Sequence, residues 1–95
     1  MEQAEYAKKI GLDLIITDHH LSADTLPEAK AIVHSTKFCG AGVAWCLAKQ
    51  LVTWNLAEDL LDLVAIATVC DLSSLLGANR ALAKEGLKVL NHTPR

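Results

Sequence analysis

The sequence predicts an α/β fold containing part of a parallel sheet, with two short strands and about four helices in 95 residues. Three observations carry this. Leu12, Leu14, Ile15 and Ile16 form an almost continuous apolar run, the pattern of a strand covered on both faces, as in sheets packed between helices. That run stops abruptly in Asp18, His19 and His20, where open α/β sheets place their ligands, beyond the carboxyl ends of the strands. From Gly40 onward, apolar residues recur at spacings of three and four, the helical period.

Each element follows in order. Glu2 to Ile10 reads as a short helix with Ala4, Ala7 and Tyr6 turned inward, Lys8 and Lys9 near its carboxyl end, and Gly11 as its stop. The apolar strand comes next. Leu21 to Pro27 is rich in turn-forming residues and reads as a loop, leading to a second strand at Ala31 to Val33. Two strands are rarely stable alone, so either all the helices that follow cover them or they belong to a larger sheet outside this chain, and the larger sheet is the preferred reading.

From Gly40, Val43, Leu47 and Leu51, with Ala44 and Ala48 alongside, predict a helix with Trp45 and Trp54 near its edges. Gly40 and Gly42 could admit a phosphate to the helix amino terminus, but the third glycine of that pattern is missing, and close packing is the preferred reading. Asn55 is placed to cap a helix from Leu56 to about Val69, with Glu58, Asp59 and Asp62 favouring its positive end. The apolar content of this helix predicts burial. Asp71 follows at its carboxyl end, where the dipole disfavours an anion. Either a nearby cation compensates it or it opens the Leu72 to Gly77 turn. The last helix, Asn79 to Leu90, turns Leu82, Leu87 and Leu90 inward and a stripe of Arg80, Lys84 and Lys88 outward. His92 and Pro94 fall in a tail.

Composition narrows the function. An apolar content of 52% is enough for a core, and a net charge of -2, from 9 basic and 11 acidic residues, gives no whole-chain attraction to nucleic acid. Cys39, Cys46 and Cys70 are odd in number and lack Cys-x-x-Cys spacing, which argues against a zinc ribbon or a disulfide framework and for reduced, largely buried thiols. No signal peptide or membrane-length apolar run is present, so a soluble cytoplasmic chain is expected. Imidazole and carboxylate are ligands that manganese, zinc and iron accept. An arbitrary His-His pair is more often merely exposed; its position after the strand, beside Asp18, favours a site.

Four blocks together carry a family resemblance: Gly-Leu-Asp-Leu-Ile-Ile-Thr-Asp-His-His, Gly-Ala-Gly-Val-Ala-Trp, Leu-Leu-Asp-Leu-Val-Ala-Ile-Ala-Thr-Val-Cys-Asp, and Asn79-Arg80 before Lys84-Glu85-Gly86-Leu87. In this order they resemble the DHH phosphoesterase superfamily, and within it the RecJ-type single-stranded-DNA-specific exonucleases. The resemblance implies a two-metal phosphodiesterase using Mn2+ or Mg2+, with single-stranded DNA as substrate and a role in DNA repair and recombination. It implies metal-binding and catalytic positions at His19, His20 and Asp71, with Asp18 holding the histidines or surrounding the metal, and Arg80 facing substrate phosphate. It also implies that residues 1–95 are the C-terminal portion of a DHH domain, cut at both ends, since the family's earlier aspartate motifs are absent. His34 stands where the family has Asn followed by Pro, and is given a structural or incidental role.

Two alternatives remain beside this reading. One is a non-catalytic half-domain or degenerate relative acting as a binding module, for three ligands at most cannot hold two divalent ions. The other is a DHH phosphodiesterase for short oligonucleotides or cyclic dinucleotides. The isolated chain is expected to be inactive or nearly so.

Overall fold

The computed structural model describes residues 1–21 and 24–92. Among them the element order is α1 (Glu2–Lys9), β1 (Ile15–Asp18), β2 (Ala31–His34), α2 (Gly40–Leu51), α3 (Trp54–Asp59), α4 (Leu61–Cys70) and α5 (Gly77–His92). The α/β class and the two parallel strands are as the sequence predicts. Ser22 and Ala23 of the expected loop, and Pro94 of the expected tail, lie outside the described residues.

α1 ends as glycine chemistry dictates. Gly11 adopts φ +76, its N–H donates to Lys8 O at 3.0 Å, and the Leu12 N–H donates to Ala7 O at 2.9 Å. This pair of bonds satisfies carbonyls that the helix end would otherwise leave bare. Ala4 and Ala7 are buried, but Tyr6 is 65% exposed, so its inward placement is corrected. On so short a helix the two alanines alone make the buried stripe.

β1 and β2 pair in parallel, with Ile15 opposite Ala31, Ile16 opposite Ile32, Thr17 opposite Val33 and Asp18 opposite His34. The strand therefore runs later than the apolar run and takes in Asp18 itself. α2 packs against both strands. Covering is incomplete, however: Leu12 and Ile15 are 60% and 58% exposed, and Leu14, Ile16 and Ile32 line an open groove of about 390 Å³ with Ala4, Leu26 and Pro27. β1 is thus not the strand covered on both faces that its composition suggests.

Three helical expectations change. The buried face of α2 is Gly42, Val43 and Trp45, whereas Leu51 is 75% exposed. Trp45 sits in the core with Ala57, Leu61 and Val64 instead of at an edge, while Trp54 stays exposed with its ring 6.4 Å from that of Trp45. The helix expected from Leu56 to Val69 is two helices, α3 and α4, divided at Leu60, and the residue before α3 is Thr53, leaving Asn55 inside it. Apart from Asp62 and Thr68, both buried, α4 is apolar, and it buries only one side, with Leu63, Ile66 and Val69 about half exposed.

α5 begins at Gly77, earlier than expected, includes His92, and buries Asn79, Ala83 and Gly86. Leu87 is 47% exposed and so is not an inward residue. The three cysteines are free, but they are graded from buried Cys39 through Cys46 to exposed Cys70, so "largely buried" holds for the first alone. Among the described residues no helix is long and apolar enough to cross a membrane.

Candidate active site

The site starts at the carboxyl end of β1. There the Asp18 Oδ1 accepts the His19 N–H at 2.8 Å and the His20 N–H at 3.3 Å, and lies 2.7 Å from His20 Nδ1. One carboxylate oxygen thus folds the following two residues back over the strand end. The His20 ring beside it, followed by the His20 backbone N–H, lowers the Asp18 carboxyl from 3.8 to about 2; the His19 N–H adds to this, and partial desolvation opposes it.

The second strand closes the arrangement. His34, opposite Asp18 in the ladder, has its Nε2 2.6 Å from the His20 carbonyl oxygen. A carbonyl only accepts, so His34 carries its proton on Nε2. His20 is therefore held from both strands, through its ring by Asp18 and through its carbonyl by His34. The sequence reading left His34 without a specific role, and the pairing register is the signal that identifies this one.

His19 is placed differently. Its ring lies against the first residue of α2, with Nε2 3.6 Å from where a Gly40 Cβ would stand, and its centroid is 4.3 Å from that of His20. It lines a cavity of about 520 Å³ together with Asp71, Thr36, Lys37 and Ser73. Asp71 reaches that cavity from the end of α4. There the Leu72 and Ser73 N–H groups turn back to Val69 O and Thr68 O, each at 3.2 Å, with Leu72 at φ 53. The Ser73 hydroxyl donates to Asp71 Oδ2 at 3.2 Å. The adjoining loop is tied to α5 by Asn79, whose Nδ2 donates to Ser74 O at 2.8 Å. The Asn79 Oδ1 is buried without a donor among the described residues.

The structure therefore brings His19 and Asp71 to one cavity. His20 neighbours His19 but is engaged by Asp18 outside that lining, and Arg80 is exposed on α5 and does not line the cavity either. Lys37 and Ser73 do line it and were missed. Lys37 follows the carboxyl end of β2, so the rule that singles out Asp18, His19 and His20 applies to it equally.

An imidazole nitrogen and a carboxylate oxygen are donor types suited to a cation such as manganese. Their number is insufficient: among the described residues, no three His, Cys, Asp or Glu side chains converge to hold a metal ion. Hard divalent cations take about six ligands, more than the described residues bring together here.

Comparison with known proteins gives a consistent result. The sequence pattern of the DHH family, N-terminal domain, matches residues 1–68. The single-stranded-DNA-specific exonuclease RecJ of Bacillus subtilis is 42% identical over 104 residues, which cover 100% of this chain and 13% of the relative. The proteins of the same name from Salmonella typhimurium and Escherichia coli are 41% and 39% identical, over 86% and 87% of this chain and 18% of each relative. The chain thus spans less than a fifth of the length of these curated relatives. No solved structure matches it significantly.

Proposed function

The chain belongs to the DHH family, and on that premise we propose that it is the His-His and downstream-aspartate portion of a RecJ-like, metal-dependent exonuclease for single-stranded DNA. Residues 1–95 are read as the C-terminal portion of the DHH domain, with an upstream half needed to complete the centre. In this reading His19 and Asp71 are the chain's donors to a divalent cation, Mn2+ or Mg2+. When bound, that cation would supply charge neutralisation at the scissile phosphate and an acidified water. Asp18 and His34 hold His20 in place beside His19. The enzyme would digest single strands from the 5′ end and serve DNA repair and recombination in the cytoplasm.

One observation carries the reading: His19, at the end of a strand, and Asp71, at the end of a helix far along the chain, line a single cavity. At the carboxyl end of α4 the helix dipole opposes an anion. The cavity gives that carboxylate a chemical use.

The test is a transplant. Residues 1–95 replace the matching segment of the Bacillus subtilis relative, and manganese-dependent release of nucleotides from a 5′-phosphorylated single strand is measured. Activity of the chimera is expected, with His19→Ala and Asp71→Ala each lowering it by at least about 100-fold, the scale of losing a metal donor. A folded, active chimera indifferent to both substitutions would falsify the assignment.

A second reading, a non-catalytic half-domain that binds a partner, is favoured by the shortage of converging donors. A folded chimera with no activity, while its parent cleaves, supports that reading. Preference for di- or trinucleotides over long strands would instead support a phosphodiesterase for short oligonucleotides or cyclic dinucleotides.

A further inference from the structure

We infer that Lys37 is a phosphate-binding residue of the cavity that His19 and Asp71 line; the inference rests on the reading of that cavity as a phosphodiester site. The cavity needs positive charge from the protein. His19 and Asp71 contribute an imidazole and a carboxylate, and the chain as a whole has a net charge of -2, so a nucleic acid strand gains nothing from the overall field. Among the described residues Lys37 is the lysine in the cavity lining, and no arginine accompanies it there.

Its backbone is held on both sides. The Ser35 N–H donates to Asp18 O at 3.2 Å, extending the strand ladder from the residue that organises the histidines. The Ser35 hydroxyl then accepts the Lys37 N–H at 3.2 Å. On the other side Phe38 packs on α2 so closely that a Cβ at Gly42 would come 2.9 Å from Phe38 Cβ. The loop is thereby seated between β2 and α2. The Lys37 ammonium, in contrast, has no carboxylate within ion-pair distance among the described residues. A fixed Cα with a free cationic end suits a mobile, anionic ligand, since the side chain swings onto the phosphate without breaking another pair.

The stripe on α5 does not offer the same service. Arg80 lies outside the cavity lining, and Lys88 is engaged by Glu85 at 2.9 Å. In this proposal the phosphate contact within the cavity is assigned to Lys37 and not to Arg80.

The test uses the 95-residue chain in the presence of a chelator, so that bound cations do not contribute. Tetrathymidylate carrying a 5′-phosphate is titrated in and followed by amide chemical shifts, with circular dichroism to confirm that each variant is folded. Lys37→Gln is expected to weaken binding by about fivefold or more and to reduce the log–log salt slope by about 0.7, the value of one contact on a single strand. Lys37→Arg should bind within about twofold of the parent. The methylphosphonate analogue, which lacks the backbone charges, should no longer separate Lys37→Gln from the parent. Binding by the parent chain with an unchanged affinity and salt slope in Lys37→Gln overturns the role of Lys37 and leaves the site reading intact. Absence of binding by the parent chain overturns the role of Lys37 in this chain and leaves the site reading to the activity of the chimera.

Discussion

Replacing Gly86 with alanine should destabilise the chain, although in most helices that change stabilises it. Gly86 lies within α5, buried against α4, in the most extensive contact between two elements of the structure. An alanine there ordinarily gains about 1 kcal/mol of helix propensity over glycine. Here the added methyl would overlap the Leu61 carbonyl oxygen and come 2.6 Å from the Ala65 Cβ. Neither neighbour can rotate away, because one is backbone and the other is a Cβ. Restoring ordinary contact requires the helices to part by about 1 Å, and a gap of that size forfeits up to about half of each contact's dispersion energy along the seam. Overpacking of this kind costs about 1–3 kcal/mol, and the immovable carbonyl puts the cost at the upper end. Set against the propensity gain, the net loss is about 2 kcal/mol.

With a urea slope near 1 kcal/mol/M for so small a chain, the midpoint should fall by about 2 M in a circular-dichroism titration. Ala81→Gly, on the exposed side of the same helix, calibrates the propensity term and should cost about 1 kcal/mol. A Gly86→Ala chain as stable as the parent, or more stable, would refute the reasoning and show that α4 and α5 are not in register at this crossing. The point bears on function because α4 ends at Asp71 and α5 begins beside the same cavity.

Three further outcomes are expected. Leu72→Gly should raise stability by about 0.5–1 kcal/mol, because the 91% exposed leucine buries nothing and relief of its left-handed backbone outweighs glycine's extra chain entropy; a lower urea midpoint contradicts this. Asn79→Asp should cost about 3 kcal/mol, since a carboxylate cannot donate to Ser74 O and the site is 3% exposed; unfolding indistinguishable from the parent would show that the tether is dispensable. In the metal-free chain the Asp18 carboxyl should titrate near 2 when followed by carbon NMR. Its folded value is depressed, so the contact with His20 contributes above the ordinary value of 3.8 and is lost as pH falls toward 2; a midpoint at 3.8 would mean that the contact does not form in solution.

What the sequence discloses depends on whether a signal is local. The end of α1 was legible because Gly11 is the stop that its left-handed turn demands, and the site at Asp18 was legible because polar residues begin where an apolar run stops. The division of α3 from α4 was not, for no glycine or proline marks Leu60. The break is made by tertiary contact: the Trp45 Nε1–H donates to Ala57 O at 2.7 Å, and the Leu60 N–H turns back to the same carbonyl at 3.3 Å. That carbonyl is thereby taken up by a side chain from α2 and a tight turn. The buried face of α2 was misjudged for a related reason. Its alanines and leucines fit several faces, and it is the placement of Trp45 over Ala57, Leu61 and Val64 that selects one.

The site shows the same limit. Which residues carry the chemistry could be named one by one, but the separation of His19 from His20 depends on which groups grip each ring. Asp18 and His34 take His20, and the start of α2 supports His19. Adjacent identical residues thus acquire different surroundings, which no residue pattern encodes. The uncovered surfaces point the same way. Ile15 on β1 and Val69 on α4 are each more than half exposed, and these are the two elements whose ends present His19 and Asp71. A two-stranded sheet and a helix whose exposed side carries Leu63, Ile66 and Val69 both call for more cover than the described residues supply, and the cavity calls for more donors than they bring together. Both shortages fall on the same pair of elements. In the proposed reading, the upstream half of the domain laid on these elements would meet both requirements at once, whereas a free-standing binding module would have to cover the apolar faces and would leave the paired donors without a use.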